Sequence, residues 1–483
     1  MSCSAFQRGS RFALVVGLAV SISTFASAQS ADKFFPYPVQ KEMLPNGLDV
    51  IIIEMPEFKD VLSYNMLVLA GARNEVERGK TGLAHLFEHI LFRHKYQGEV
   101  NGYREAINKL GAFNNAWTWF DVTFYHPLTF TFNLESKTIP SATGMQPLPG
   151  ILDLESDRFV SLAFDEKIFK TETGAVLGEY RRIATNPGLK MGEKMLELAF
   201  PAHSYGHTTI GYYQDILDMP NHYDAAVKFY QTYYRPNNCV LIIAGDVNSK
   251  ELFPRIRQYY GSWQSRPVPD VTIEDPPQAE ERRGHVSWES DVPPRVSVAY
   301  KLPSYRTGNM QTAVGQLLPE LLVSESAPLF RKLRYDKKTA SEFYFDGGKA
   351  TYEGFDPRLV VATARLYKEQ YAERGEEYLE EVINDMVDGF DELKAFSSMP
   401  DADQILETVK SKYKYDFLAS LNSSGNVAQT FAWYYRFERD PNVFDKLVAS
   451  VEKLQPTDID TFARRFFVSD NRIIVTMSHD AQE

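Results

Sequence analysis

The segment Gly82-Leu83-Ala84-His85-Leu86-Phe87-Glu88-His89-Ile90-Leu91-Phe92 limits the fold more than any other. On a helix successive residues turn by roughly 100°, so Leu86, Phe87, Ile90 and Leu91 wrap the cylinder in apolar side chains and call for burial. The same helix carries two imidazoles and a carboxylate, which are costly to bury unless they bind something. His85 and His89 are four apart, stack on one face and can both reach one metal ion. Glu88 sits one turn from His85 and beside His89, near that metal without having to bind it. Such a carboxylate suits taking a proton from water at the metal. The competing reading is a core helix with incidental histidines. With nine histidines in the chain, H-x-x-E-H arises by chance in roughly one such chain in a hundred, so the metal reading is preferred. His94 lies nine positions after His85, on the opposite face, and His203, His207 and His222 read as ordinary surface or core histidines.

At 483 residues the chain is long enough for two to four domains. Residues 1–28 read as a signal peptide: Arg8 and Arg11, an apolar run over 12–25, then Ala26-Ser27-Ala28 before Gln29. Export to a periplasm or out of the cell follows. The apolar run is short for a membrane span and no second one appears, so no stable membrane insertion is expected; mean hydropathy is −0.33. Lys and Arg total 52 against 64 Asp and Glu, a net −12, which excludes a general nucleic-acid binder. Of two cysteines, Cys3 leaves with the signal and Cys239 remains alone, so no disulfide framework exists.

The rest divides in two. Residues 33–263 open with the turn Pro45-Asn46-Gly47 and hold strand-like runs at 48–53, 62–69 and 239–244. Residues 264–284, with Pro267, Pro269, Pro276 and Pro277, read as a linker. Residues 285–483 hold strands at 296–300, 359–364 and 472–477, and a helix spaced by Leu379, Val382, Ile383, Met386, Val387, Phe390 and Leu393, its acids forming a solvated face. The fold class is α+β: two similar halves, each a largely antiparallel sheet packed with helices, forming a clam-like chamber.

Two histidines leave a tetrahedral zinc short of one protein ligand and a water. Glu179 is the best candidate; Glu172, seven residues earlier, shares its helix face, so one acid can bind zinc while the other supports a ligand. Acids at that spacing usually mark a solvated face, so the pattern alone is weak. The 85–89 motif is the inverted zincin motif, and with the two-part arrangement the chain resembles the pitrilysin/insulinase family of zinc metallopeptidases, which includes the mitochondrial processing peptidases. Asn115-Ala116-Trp117-Thr118 with Asp121 and Tyr125 is similar to the family's active-site edge strand; 229–238, Ala244-Gly245-Asp246 and 471–477 resemble its closing segments. The resemblance implies His85, His89 and Glu179 as ligands of one Zn2+ per chain, Glu88 as general base, Glu172 as an additional acid, and Asn115 and Ala116 as substrate-binding. A longer spacing from His89 to Glu179 than the family usually shows is assigned to an insertion at 135–149, read as a surface loop.

The second half has no H-x-x-E-H. The family's Arg and Tyr, seven apart, hold substrate and oxyanion; here Arg334 fits the first, but the Tyr position falls on Ser341, with Tyr344 three residues on. Either Tyr344 substitutes, or a partner chain supplies the pair, which implies a heterodimer with a related subunit lacking the zinc motif; a homodimer is the other arrangement. The expected function is a zinc metalloendopeptidase acting on peptides or unfolded segments, bound as an added strand. The acidic net charge points to basic peptides, though net charge is a poor guide to a pocket. The rival readings are a half-site or non-catalytic subunit of a peptidase complex, and a non-peptidase zinc hydrolase.

Overall fold

The computed structural model describes residues 33–99, 101–141, 144–346 and 353–479; the signal-peptide reading of 1–28 lies outside the described residues. The first sheet is built from β1 (Val39–Met43), β2 (Asp49–Glu54), β3 (Val61–Val68), β4 (Ala116–Thr118), β5 (Thr123–Tyr125), β6 (Leu128–Phe130) and, after a separate hairpin of β7 (Lys137–Ser141) and β8 (Gly144–Leu148), β9 (Cys239–Gly245). Its order is β1-β2-β9-β3-β5-β4, with β6 also on β3. Only β2 and β9 pair in parallel. The second sheet uses β10 (Arg282–Trp288), β11 (Arg295–Leu302), β12 (Ala340–Phe345), β13 (Arg358–Leu366) and β14 (Arg472–His479), in the order β10-β14-β11-β13-β12. Again one pair, β10 with β14, is parallel and the rest antiparallel.

The two sheets repeat one plan. Taking β2, β3, β4, β5 and β9 as first to fifth strands, the order is first, fifth, second, fourth, third, and β10 to β14 follow the same order with the same directions. The halves therefore share one topology. The segment 135–149, expected as a loop, forms the β7–β8 hairpin instead. Residues 282–284, read as the end of the linker, already pair with β14. Alternating burial along β10 marks it as a sheet edge with one covered face.

The helices of the first half include α1 (Leu83–Leu91), α2 (Gly102–Lys109), α3 (Ile151–Val160), α4 (Glu166–Ile183) and α5 (Pro187–Ala199). Each half lends a helix to the other. Helix α5 lies on β10 and β14, where Met191, Met195 and Ala199 meet Ile473, Val475 and Met477. The helix Ser424–Glu438 of the second half lies on β3 and β9, with Val427, Phe431 and Tyr435 against Ile51, Leu67 and Ile242. Both faces of β2 and β9 are thereby covered, which is why these strands are apolar at nearly every position. Polar contacts add to the join: Arg73 pairs with Asp356, and His203 Nε2 lies 3.1 Å from Asp356 Oδ2.

Candidate active site

Helix α1 starts abruptly. Gly82 has φ +89°, and a Cβ there would meet the Ile210 carbonyl oxygen at 2.5 Å, so only glycine fits. The helix N-terminus is capped by a side chain from outside it: Glu75 accepts from Gly82 N and Ala84 N, both at 2.7 Å. Burial pushes the Glu75 carboxyl up to about 8, against the pull of those two N–H groups. Leu83, Ala84, Leu86, Phe87, Ile90 and Leu91 are buried, leaving His85, Glu88 and His89 on the remaining face.

Across that face runs α4. Glu179 Oε2 lies 3.7 Å from His85 Nε2 and 3.5 Å from His89 Nε2. The two imidazole planes cross at 80° with centroids 4.9 Å apart. Among the described residues His85, His89 and Glu179 form the one group of three such side chains whose donor atoms all lie within 4.8 Å of one another. The separations are too long for hydrogen bonds. They suit donors sharing an ion: tetrahedral ligands at 2.0–2.1 Å sit about 3.3 to 3.5 Å apart. Burial, helped by His89, lowers His85 to about 3, so its ring is the neutral form that ligates. Its Nδ1 is buried without a partner among the described residues.

Behind these atoms stands a supporting layer. Glu88 Oε2 accepts from Thr118 Oγ1 at 2.6 Å, which ties α1 to β4. Burial raises the Glu88 carboxyl, while Thr118 and His89 oppose it. Glu172 Oε2 lies 3.5 Å from His89 Nδ1, and its Oε1 accepts from Arg93 Nε at 2.7 Å. Burial works against the charged form of Glu172, but His89 and Arg93 outweigh it and hold the carboxyl low. Burial likewise opposes a charged His89, and Glu172, Glu88 and Glu179 outweigh it and raise the imidazole.

Asn115 and Ala116 lie at the outer side of the sheet: Ala116 opens β4, which pairs only with β5, and Asn115 O accepts from His126 N at 2.9 Å. The second-half candidates have local contacts of their own. Arg334 Nη1 donates to Ala340 O at 2.9 Å, and Tyr344 stands half-buried on β12, its hydroxyl raised by burial and then by Asp346. Ser341 Oγ donates to Arg365 O at 3.0 Å. Four further histidines have partners away from the cluster: His94 with Asp157 at 2.7 Å, His203 with Asp356, His207 with Thr208 O at 2.8 Å, and His222 with Asp218 at 3.0 Å. Sequence reasoning missed Glu75, Arg93 and the Thr118 hydroxyl as supports. Glu75 lies seven residues before Gly82, outside the usual capping positions, so no local signal marked it.

Two family models match the chain: insulinase (peptidase family M16) over residues 50–212, and the peptidase M16 inactive domain over 222–396. Among curated proteins, the zinc protease PqqE of Helicobacter pylori is 25% identical over 428 residues, 86% of this chain and 87% of that protein. Among solved structures, a protease from Helicobacter pylori aligns with a TM-score of 0.79 at 24% identity, over 92% of this chain and 100% of that one. The periplasmic protease PqqL from Escherichia coli aligns with a TM-score of 0.71 at 15% identity; this chain covers 48% of it. Both structures speak for the fold. Taken with the strand plan repeated in each half, the matched models place this chain in the insulinase family of peptidases, family M16.

Proposed function

We propose that the chain is a zinc-dependent endopeptidase that hydrolyses peptides or unfolded segments. One observation carries this reading: His85 Nε2, His89 Nε2 and Glu179 Oε2 face one another at 3.5 to 3.7 Å, beyond hydrogen-bond reach. These three would hold one Zn2+ per chain, within the zinc-binding part at 33–263; among the described residues of 285–483 no group of three such side chains comes together. Bound there, the ion supplies Lewis-acid polarisation of the scissile carbonyl and lowers the pKa of water. Glu88 takes the proton of the attacking water and returns it to the leaving amine. Thr118 fixes which Glu88 oxygen faces the substrate. Glu172 orients His89. The open side of β4 offers backbone groups to an extended substrate, which explains affinity without strong sequence demands. The relative named a zinc protease supports the choice of metal.

A second reading is favoured by the second half. Its family model is that of the M16 inactive domain, and its expected tyrosine position falls on Ser341. The chain would then be a subunit whose oxyanion and substrate contacts come from a related partner or a second copy. Peptide turnover by the isolated chain, with and without chelator and with molar mass from light scattering, separates the two. Zinc-dependent turnover by a monomer supports the enzyme; turnover only after a partner is added supports the half-site. Export is part of the proposal, supported by the leader-like 1–28 and by a neighbour described as periplasmic. Among the described residues no helix is long and apolar enough to cross a membrane.

A further inference from the structure

Beside the proposed site lies a pocket of about 270 Å³ between the end of α1, helix α2 and the chain entering β4. Arg93, Tyr103, Arg104, Asn108 and Asn114 are among its lining residues. Asn114 Nδ2 donates to the Tyr103 hydroxyl at 2.9 Å, and that hydroxyl donates to Glu155 at 2.6 Å. This chain fixes the Asn114 amide, so Oδ1 is an acceptor, and it is buried without a donor. Such an orphan is unfavourable unless something supplies an N–H.

The charges point the same way. Arg93 spends Nε on Glu172 and Nη1 on Asn101 Oδ1 at 3.2 Å, and its other N–H groups have no partner among the described residues. Arg104 is exposed and has no hydrogen bond or ion pair among the described residues. Glu172 cancels Arg93, so Arg104 leaves the pocket with a net positive charge; Glu105, next along α2, faces another way. The pocket also lies on the substrate's path. Asn114 immediately precedes Asn115 and Ala116, four residues before Thr118, so an extended peptide on β4 reaches it roughly 13 Å from the level of Thr118.

We propose that this pocket is a subsite for a substrate carboxylate, from an acidic side chain or from the peptide's own C-terminus. Arg104 and Arg93 hold the carboxylate, and the neighbouring substrate N–H donates to Asn114 Oδ1. The idea deepens the peptidase reading and rests on it for the strand's path. It runs against the expectation from net charge, because a pocket responds to its own walls.

The test is peptide binding, by fluorescence anisotropy, to the full zinc-loaded chain carrying Glu88→Gln, so that no turnover is needed. Three labelled peptides of one sequence serve as probes: neutral with an amidated C-terminus, the same with Glu in place of Gln three to five residues from the cleaved bond, and the neutral one with a free C-terminus. At least one acid-bearing peptide is expected to bind about tenfold tighter than the neutral one, the scale of a single charge-assisted contact. Adding Arg104→Glu is expected to reverse the order, and Arg104→Lys to preserve it. Which acid gains identifies the source of the carboxylate. Equal behaviour of all three peptides, or a preference unchanged by Arg104→Glu, overturns the subsite. Whether the unmodified chain cleaves the neutral peptide bears on the enzyme reading alone, so the two proposals fail separately.

Discussion

The helix between the second and third strands of each sheet is where the two halves part company. In the first half it is α1, in the second the helix Met310–Leu322. Both are buried, and both carry polar groups inward. The second-half helix satisfies its buried Gln316 with protein: Nε2 donates to Glu353 Oε1 at 2.6 Å, and Oε1 accepts from the hydroxyls of Tyr434 at 3.3 Å and Tyr413 at 3.4 Å. Helix α1 instead leaves His85 and His89 facing Glu179 at distances no hydrogen bond spans. One plan of strands thus supports a helix closed on itself and a helix open to a ligand. The sheet fixes the plan; a few side chains on one helix face decide which half leaves donor atoms facing one another.

The largest effect expected of that contrast is at Glu88. Glu88→Gln is expected to keep zinc and lose about 10²- to 10⁴-fold in kcat, whereas His85→Ala loses both zinc and turnover; metal analysis beside peptide kinetics checks this, and unaltered kcat in Glu88→Gln would remove the mechanism. Glu179→Ala is expected to release the metal on dilution, and full zinc stoichiometry in that variant would mean another third ligand. Smaller again is Glu172→Gln, which disturbs His89 from behind and is expected to cost about 10- to 100-fold in metal affinity or activity; a metal titration against a fluorescent chelator measures it.

The second-half helix supplies the opposite case. Gln316→Leu removes the amide that donates to Glu353 and accepts from the Tyr413 and Tyr434 hydroxyls, and is expected to cost about 1 to 3 kcal/mol of stability, read as a lower Tm, with zinc content and turnover per folded molecule unchanged. A loss of zinc there would break the contrast between the helices. The smallest expected effect concerns the join between halves. Asp356 is held below the usual carboxylate range: burial pushes it up, but His203 and Arg73 outweigh that. A depressed carboxylate contributes stability above its unfolded pKa and loses it as pH falls through the folded value. Acid titration followed by tryptophan fluorescence is therefore expected to show a contribution from this pair lost only below about pH 4, and absent in Asp356→Asn.

Much of this was legible before the fold was seen. The apolar wrapping of α1 forced burial, and the four-residue spacing forced both imidazoles onto one face. The seven-residue spacing of Glu172 and Glu179 put both on one face of α4. Strands β2, β9, β11, β13 and β14 announced themselves as apolar runs because both their faces are covered. Less visible were β10, whose charged, alternating sequence is that of an edge, and the β7–β8 hairpin, whose prolines and small residues read as a loop. The Arg and Tyr of the second half were expected from the family resemblance, and a resemblance says nothing of local partners such as the Ala340 carbonyl that accepts from Arg334 Nη1.

The sequence by itself determined many of the elements and the face of α1 that carries His85, Glu88 and His89, because helix and strand periodicity are local consequences of backbone geometry and side-chain polarity. Only the tertiary structure decided that Glu179 reaches across to His85 and His89, that Thr118 grips Glu88, and that each half lends a helix to the other's sheet. Those contacts join residues 30 to some 400 positions apart in the chain. Nothing in a local pattern encodes them; they exist only once two apolar surfaces have closed on each other.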